Sequence, residues 1–139
     1  MPVLLLTLIA AAVSPPEQTV FVCRIGDRTA SVVRSGANLV YRSVRRGGLE
    51  LQVPDGSYAQ EGFSGGGELQ AIFRNGPWTY LVYERTVRTS FHGANDSSFE
   101  AGVDVLRRGR VVARWRCDDE DTQFIDRLTG IPQEAFVEH

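Results

Sequence analysis

The chain contains no lysine: all 15 of its basic residues are arginine. Any anion it binds is therefore met by planar guanidinium forks rather than by a compact ammonium. It has two cysteines and a single internal histidine, His92, too few ligands for a metal site once the cysteines pair with each other. No apolar run is long enough to cross a bilayer as a helix; the longest, Val3 to Val13, is too short. No segment longer than two helical turns carries a 3.6-residue period, which argues against a helical fold. A formal net charge of -2 gives no argument for nucleic acid or for an anionic membrane as partner. Seven of the 17 acids lie after Cys117 with Arg127 as their one basic companion, so the body of the chain is mildly basic.

What is present points to an exported domain. Residues 1–12 read as a signal peptide, with Ala10-x-Ala12 as a small-x-small cleavage pattern and a mature start near Val13. The alternative is a frayed apolar N-terminus. Cys23 follows Thr19-Val20-Phe21-Val22, not the small residues that precede a lipidated cysteine, so the expectation is a soluble periplasmic or secreted bacterial protein without a stable membrane anchor. Two cysteines in an exported chain form a natural pair, Cys23–Cys117; the alternative is two free buried thiols.

The remainder alternates with period two. Phe21, Cys23 and Ile25 share one face, Leu49-Glu50-Leu51-Gln52-Val53 alternates cleanly, and Leu69, Ala71 and Phe73 point one way. Gly26-Asp27, Pro54-Asp55-Gly56 and Asn75-Gly76 carry turn chemistry. Tyr58 to Phe63 is ambiguous, Phe91 to Ser98 reads as a loop, and Asp121 to Thr129 as a short helix stopped by Gly130 and Pro132. About eight short strands at this spacing predict an all-β antiparallel barrel or barrel-like sandwich with a short C-terminal helical segment. The single β-domain covers residues 19–128 and a tail covers 129–139.

Chemistry-bearing patterns are sparse. Ser64-Gly65-Gly66-Gly67-Glu68 lacks the Lys-Ser/Thr of a P-loop, and a strand rather than a helix follows it. The glycines suit a loop whose backbone slides into a partner's cleft, with Glu68 at its base held by Arg85 or Arg88; the alternative is a plain connection. Ser90, His92 and Asp96 are too close in sequence for a catalytic triad. Asp118-Asp119-Glu120-Asp121 lacks the glycine turn of a calcium loop and reads as a solvated run. Glu50, Glu68 and Glu84 lie on strands with no spacing that pairs them.

Phe21-x-Cys23, the Ser64-Gly65-Gly66-Gly67 loop and the late Cys117 give the chain a layout that resembles the bacterial periplasmic inhibitors of c-type lysozyme. The resemblance implies a small exported β-barrel, tied by a disulfide between its first and last strands, that blocks the lysozyme cleft with a serine-glycine loop. Here the loop continues as Glu68-Leu69, and Arg85 or Arg88 stands in for the family's lysine. The expected function is thus non-enzymatic binding of a cell-envelope protein, without cofactor or metal, by a monomer or weak dimer acting through residues 64–68. The alternatives are a small-molecule binder with an interior lined by Tyr41, Phe73, Tyr80 and Trp115, and a hydrolase using Glu68 or Glu84.

Overall fold

The computed structural model describes residues 15–63, 65–91 and 94–139, with side chains outside 88–97. The signal peptide assigned to 1–12, Ser64 and His92 lie outside the described residues.

Period-two sequence becomes nine strands: β1 (Glu17–Ile25), β2 (Arg28–Ser35), β3 (Asn38–Arg45), β4 (Gly48–Val53), β5 (Ser57–Phe63), β6 (Gly66–Asn75), β7 (Trp78–Phe91), β8 (Ala94–Arg107) and β9 (Arg110–Arg116). Tight turns join neighbours, as at Asn75-Gly76, where Gly76 takes φ 59°. Strands β1–β4 form one antiparallel meander and β5–β9 a second. Pro54-Asp55-Gly56 carries the chain between them, anchored by Gly56 N–H donating to Leu39 O at 3.1 Å.

Of the expected barrel and barrel-like sandwich, the closed barrel does not form. Neither β4 with β5 nor β9 with β1 is paired, and the arrangement is sandwich-like. The reason lies after Cys117. The chain leaves β9 as irregular backbone and lies along β1, with Asp118 N–H donating to Arg24 O and Ile125 N–H to Val20 O. Coil thus covers the edge that a ninth-to-first strand pairing would have closed.

The expected helix over Asp121–Thr129 is also absent; no helix occurs among the described residues. Asp119 accepts from Asp121 N–H at 2.9 Å and Asp126 from Leu128 N–H at 2.8 Å. These local carboxylate turns offer the backbone an alternative to helical bonds. The expected loop Phe91–Ser98 is mostly strand, because β8 begins at Ala94 and stays in register with β7 through Phe91↔Ala94. Residues 94–98, ANDSS, lack the apolar alternation by which a strand is recognised. Residues 58–63, ambiguous in sequence, belong to β5, the edge strand of the second sheet.

Between the sheets lies the main core, including Phe21, Val32, Leu39 and Tyr41 from one sheet, Ala71, Phe73, Val82 and Val103 from the other, and Phe124, Leu128 and Ile131 from the segment after β9. Cys23 and Cys117 are disulfide-bonded across the sandwich, Cα–Cα 5.1 Å. A second, smaller cluster lies on the outer face of the second sheet. There Phe136 and Val137 cover Ala59, Ile72, Leu81 and Leu106. The 129–139 stretch, expected to be a tail, is a strap over that face. With both faces covered, six consecutive residues of β6, Glu68 to Phe73, are buried.

Candidate functional site

Strands β7 and β8 have 14 residues each, while β6 has 10 and starts at Gly66↔Val87. Alternation along β7 sends Tyr80, Val82, Glu84 and Thr86 to the inner face. Beyond Val82 that face meets not the first sheet but the segment 122–127, and a groove remains. One part, of ≈ 450 Å³, is lined by Gln60, Gly65, Gly66, Gly67 and Leu69 together with Glu84, Thr86 and Arg127. A neighbouring part, of ≈ 230 Å³, shares Glu84, Thr86 and Arg127 and adds Phe99, Thr122 and Ile125. Phe99 and Ile125 are exposed large apolar side chains. Glu84 accepts from Phe124 N–H at 2.8 Å. Burial raises its carboxyl above the usual range, opposed by that amide and by Arg127.

The glycines behave differently from a free loop. Gly65 alone of the three takes a positive φ, 84°, and it is the turn residue that precedes β6. Gly66, Gly67 and Glu68 are β6 residues paired to both neighbours. A Cβ on Gly66 would stand 1.8 Å from Thr86 O, so this glycine permits close approach of its own neighbouring strand rather than of a partner. Gly66→Val is therefore expected to cost about 3 kcal/mol of folding free energy by overpacking, read as a lower urea midpoint. An unchanged midpoint would show that the strand contact is not required.

Glu68 is covered by the chain itself. It faces the outer side of the sheet, 2% exposed, and lies beneath the strap. Arg85 donates to its Oε1 at 2.7 Å and Gln70 to its Oε2 at 2.6 Å. His139 reaches Glu68 Oε2 with Nε2 at 2.8 Å and Asp104 Oδ2 with Nδ1 at 2.6 Å, and its ring lies 4.7 Å from that of Tyr83. With a carboxylate on each ring nitrogen, both nitrogens donate and the imidazole is an imidazolium. Burial depresses the basicity of His139, but the hydrogen bonds to Asp104 and Glu68 outweigh it and push the pKa up to about 9. For Glu68, burial pushes upward and is outweighed by hydrogen bonds from His139, Gln70 and Arg85, leaving the carboxyl below its usual range. Of the two arginines expected beside Glu68, Arg85 bonds it on the covered outer face; the side chain of Arg88 lies outside the described residues.

Consecutive positions on β6 place Glu68 opposite Arg85 and Leu69 opposite Glu84, so Glu68 and Glu84 point to opposite faces and do not form a carboxylate pair. Glu50 accepts both bonds of Arg28 at 3.0 Å, and the Arg28 guanidinium covers the Trp115 ring at 4.2 Å. Tyr41 stacks on Tyr80 at 5.3 Å and tilts against Phe73 at 5.7 Å. These rings pack against one another in the core between the sheets. Among the described residues, no group of three His, Cys, Asp or Glu is placed to hold a metal ion.

Sequence reasoning missed Gln60, Gln70, Thr86, Arg127, Asp104 and His139. A signal for two of them exists. Ile72, Leu81 and Leu106 are apolar on the face opposite Phe73 and Val82, which shows that the outer face is covered and that Gln70 and Asp104 beside them are buried. No family model, curated protein or solved structure matches the chain, so its function has to be read from these residues.

Proposed function

We propose that this protein is an exported binding module for another cell-envelope protein, and that the partner docks in the groove floored by Glu84, Thr86 and Arg127. The observation that carries the reading is the groove itself: an open channel with Gly65–Gly67 as one wall, a carboxyl and a guanidinium on its floor, and Phe99 and Ile125 exposed at one end. Small-molecule sites enclose their ligand in mostly apolar surroundings. An open polar groove with bare backbone on one side instead suits a projecting chain segment, which uses amide and hydroxyl contacts and one apolar anchor. The disulfide supports an oxidising compartment. The opposed directions of Glu68 and Glu84 weigh against a hydrolase that pairs them, and the packing of Tyr41, Tyr80 and Phe73 against one another weighs against an interior ligand.

The lysozyme-inhibitor reading moves with the site. Gly66, Gly67 and Glu68 are held in β6, so a lysozyme would be engaged by the turn at Gly65 and the adjoining groove rather than by a five-residue loop.

Arg127 is exposed, so Arg127→Glu is expected to leave the melting temperature within a few degrees of the parent while weakening partner retention from envelope extract about tenfold, by placing a second negative charge beside Glu84. Equal retention by the two proteins removes the groove as the docking site. Titration with a c-type lysozyme, scored as inhibition, decides the partner class separately.

A further inference from the structure

We propose that the outer face of the second sheet is a peptide-binding groove, filled here by the chain's own segment 133–139. We infer that it accepts from another protein a short peptide with an apolar pair followed two residues later by a basic side chain. Three features carry this. The first is how the segment is held. It runs parallel to β5 through the single bridge Tyr58↔Gln133, with Tyr58 N–H donating to Pro132 O and Glu134 N–H to Tyr58 O, each at 2.9 Å. An added strand is the ordinary way for an extended peptide to join a sheet edge. The second is Gln70. Its fully buried amide donates to Val137 O at 2.9 Å and accepts from Val137 N–H at 3.0 Å. These bonds grip backbone and are available to any residue at that position. Phe136 and Val137 meanwhile fill an apolar patch that forms its own cluster, apart from the core between the sheets.

The third feature sets specificity. Past the apolar patch, the side chains of Glu68 and Asp104, 0% and 1% exposed, receive the imidazolium of His139. Asp104 Oδ1 has no hydrogen-bond partner. Arg85 and Gln70 already bond the Glu68 oxygens and Arg114 Nη1 stands 3.7 Å from Asp104 Oδ2, so the spare acceptor is Asp104 Oδ1, and buried polar groups are seldom left unmatched. A guanidinium, with five donors in a fork, supplies the missing bond. The same segment held in cis acts at an effective concentration on the order of millimolar, so an outside peptide with only equal contacts is shut out. A peptide with arginine in place of His139 has the contact that displaces the strap.

The test uses the full chain and labelled peptides of residues 133–139, read by fluorescence anisotropy. Against the chain carrying Val137→Asp, which unseats the strap, the native peptide is expected to bind. The peptide with His139→Arg is expected to bind about tenfold tighter, and that with His139→Ala about tenfold weaker. All three should bind the parent chain more weakly than the variant. A folded Val137→Asp chain that binds none of them, or all alike, overturns the proposal. Hydrogen exchange on the parent chain covers failure of that variant to fold. If the Val137 amide exchanges at least tenfold faster than the β6 and β7 core amides, the strap opens by itself as required. Exchange only at the rate of the core overturns the groove.

Discussion

His139→Gln is expected to lower the unfolding free energy by about 3 kcal/mol at pH 7, and the loss should vanish as pH rises past about 9. The imidazole carries a folded pKa of about 9 against an ordinary value of 6.5. At about 1.4 kcal/mol per pKa unit, that difference corresponds to about 3 kcal/mol. The sign follows from proton uptake. The folded state holds the proton more tightly, so the contribution is fully present below pH 6.5 and is lost as pH rises through about 9. The opposite limb belongs to Glu68, held below its ordinary value of 4.5; its contribution is present above pH 4.5 and is lost as pH falls through the lower folded value. The composition favours the experiment. With no lysine and both cysteines bonded, few other side chains titrate between pH 7 and 10, and buried Tyr41 is pushed up to about 12. Urea denaturation of the parent from pH 6 to 10 should show falling stability, and the His139→Gln protein a nearly flat line. A parent curve without that fall would mean that the imidazole is neutral in the fold.

The sheets were legible because period-two alternation and turn chemistry are local signals. Leu69, Ala71 and Phe73 do face the core between the sheets, and Asn75-Gly76 does turn β6 into β7. What escaped was set by tertiary covering. In a sheet with one solvated face, Glu68 and Gln70 would be exposed, and a carboxylate beside a glycine-rich turn then looks like a recognition group. The 133–139 strap reverses that by burying the second face, and nothing within residues 64–70 announces it. The same non-locality hides His139, whose two carboxylate partners lie 71 and 35 residues away. Gly66 misled for a related reason. Close backbone approach was inferred correctly, but the approaching backbone is Thr86 of the same sheet. The groove was half-legible: Tyr80, Val82 and Glu84 alternate onto one face, yet only the course of the 122–127 segment shows that Glu84 floors a channel. That course depends on Asp119 and Asp126 bonding their own backbone instead of starting a helix.

Removing the Cys23–Cys117 bond should cost more than any side-chain change considered above, about 4–5 kcal/mol. The bridge closes a separation of 94 residues, and in the chain-entropy model a loop of that length restricts the unfolded ensemble by about that amount. The topology explains why nothing else replaces it. Each sheet is a self-contained meander, and the short 54–56 crossover is the other covalent link between them. The disulfide ties β1 to the end of β9 and so fixes where the irregular segment begins its run along β1, through Asp118 N–H to Arg24 O at 2.7 Å and Ile125 N–H to Val20 O at 2.9 Å. That run ends in residues 122–127, which wall the Glu84 groove. Two measurements on the Cys23→Ala/Cys117→Ala protein follow. Its unfolding free energy should fall by about 4–5 kcal/mol, with a steeper denaturant slope because the unlinked unfolded chain is less compact. Binding at the groove should weaken even at temperatures where the protein remains folded, because the wall loses its anchor. A stability loss below about 1 kcal/mol would show that the unfolded chain already keeps its ends together, contrary to the entropic account. Full stability loss with unchanged groove affinity would show that the hydrogen bonds along β1 position the wall without help from the bridge.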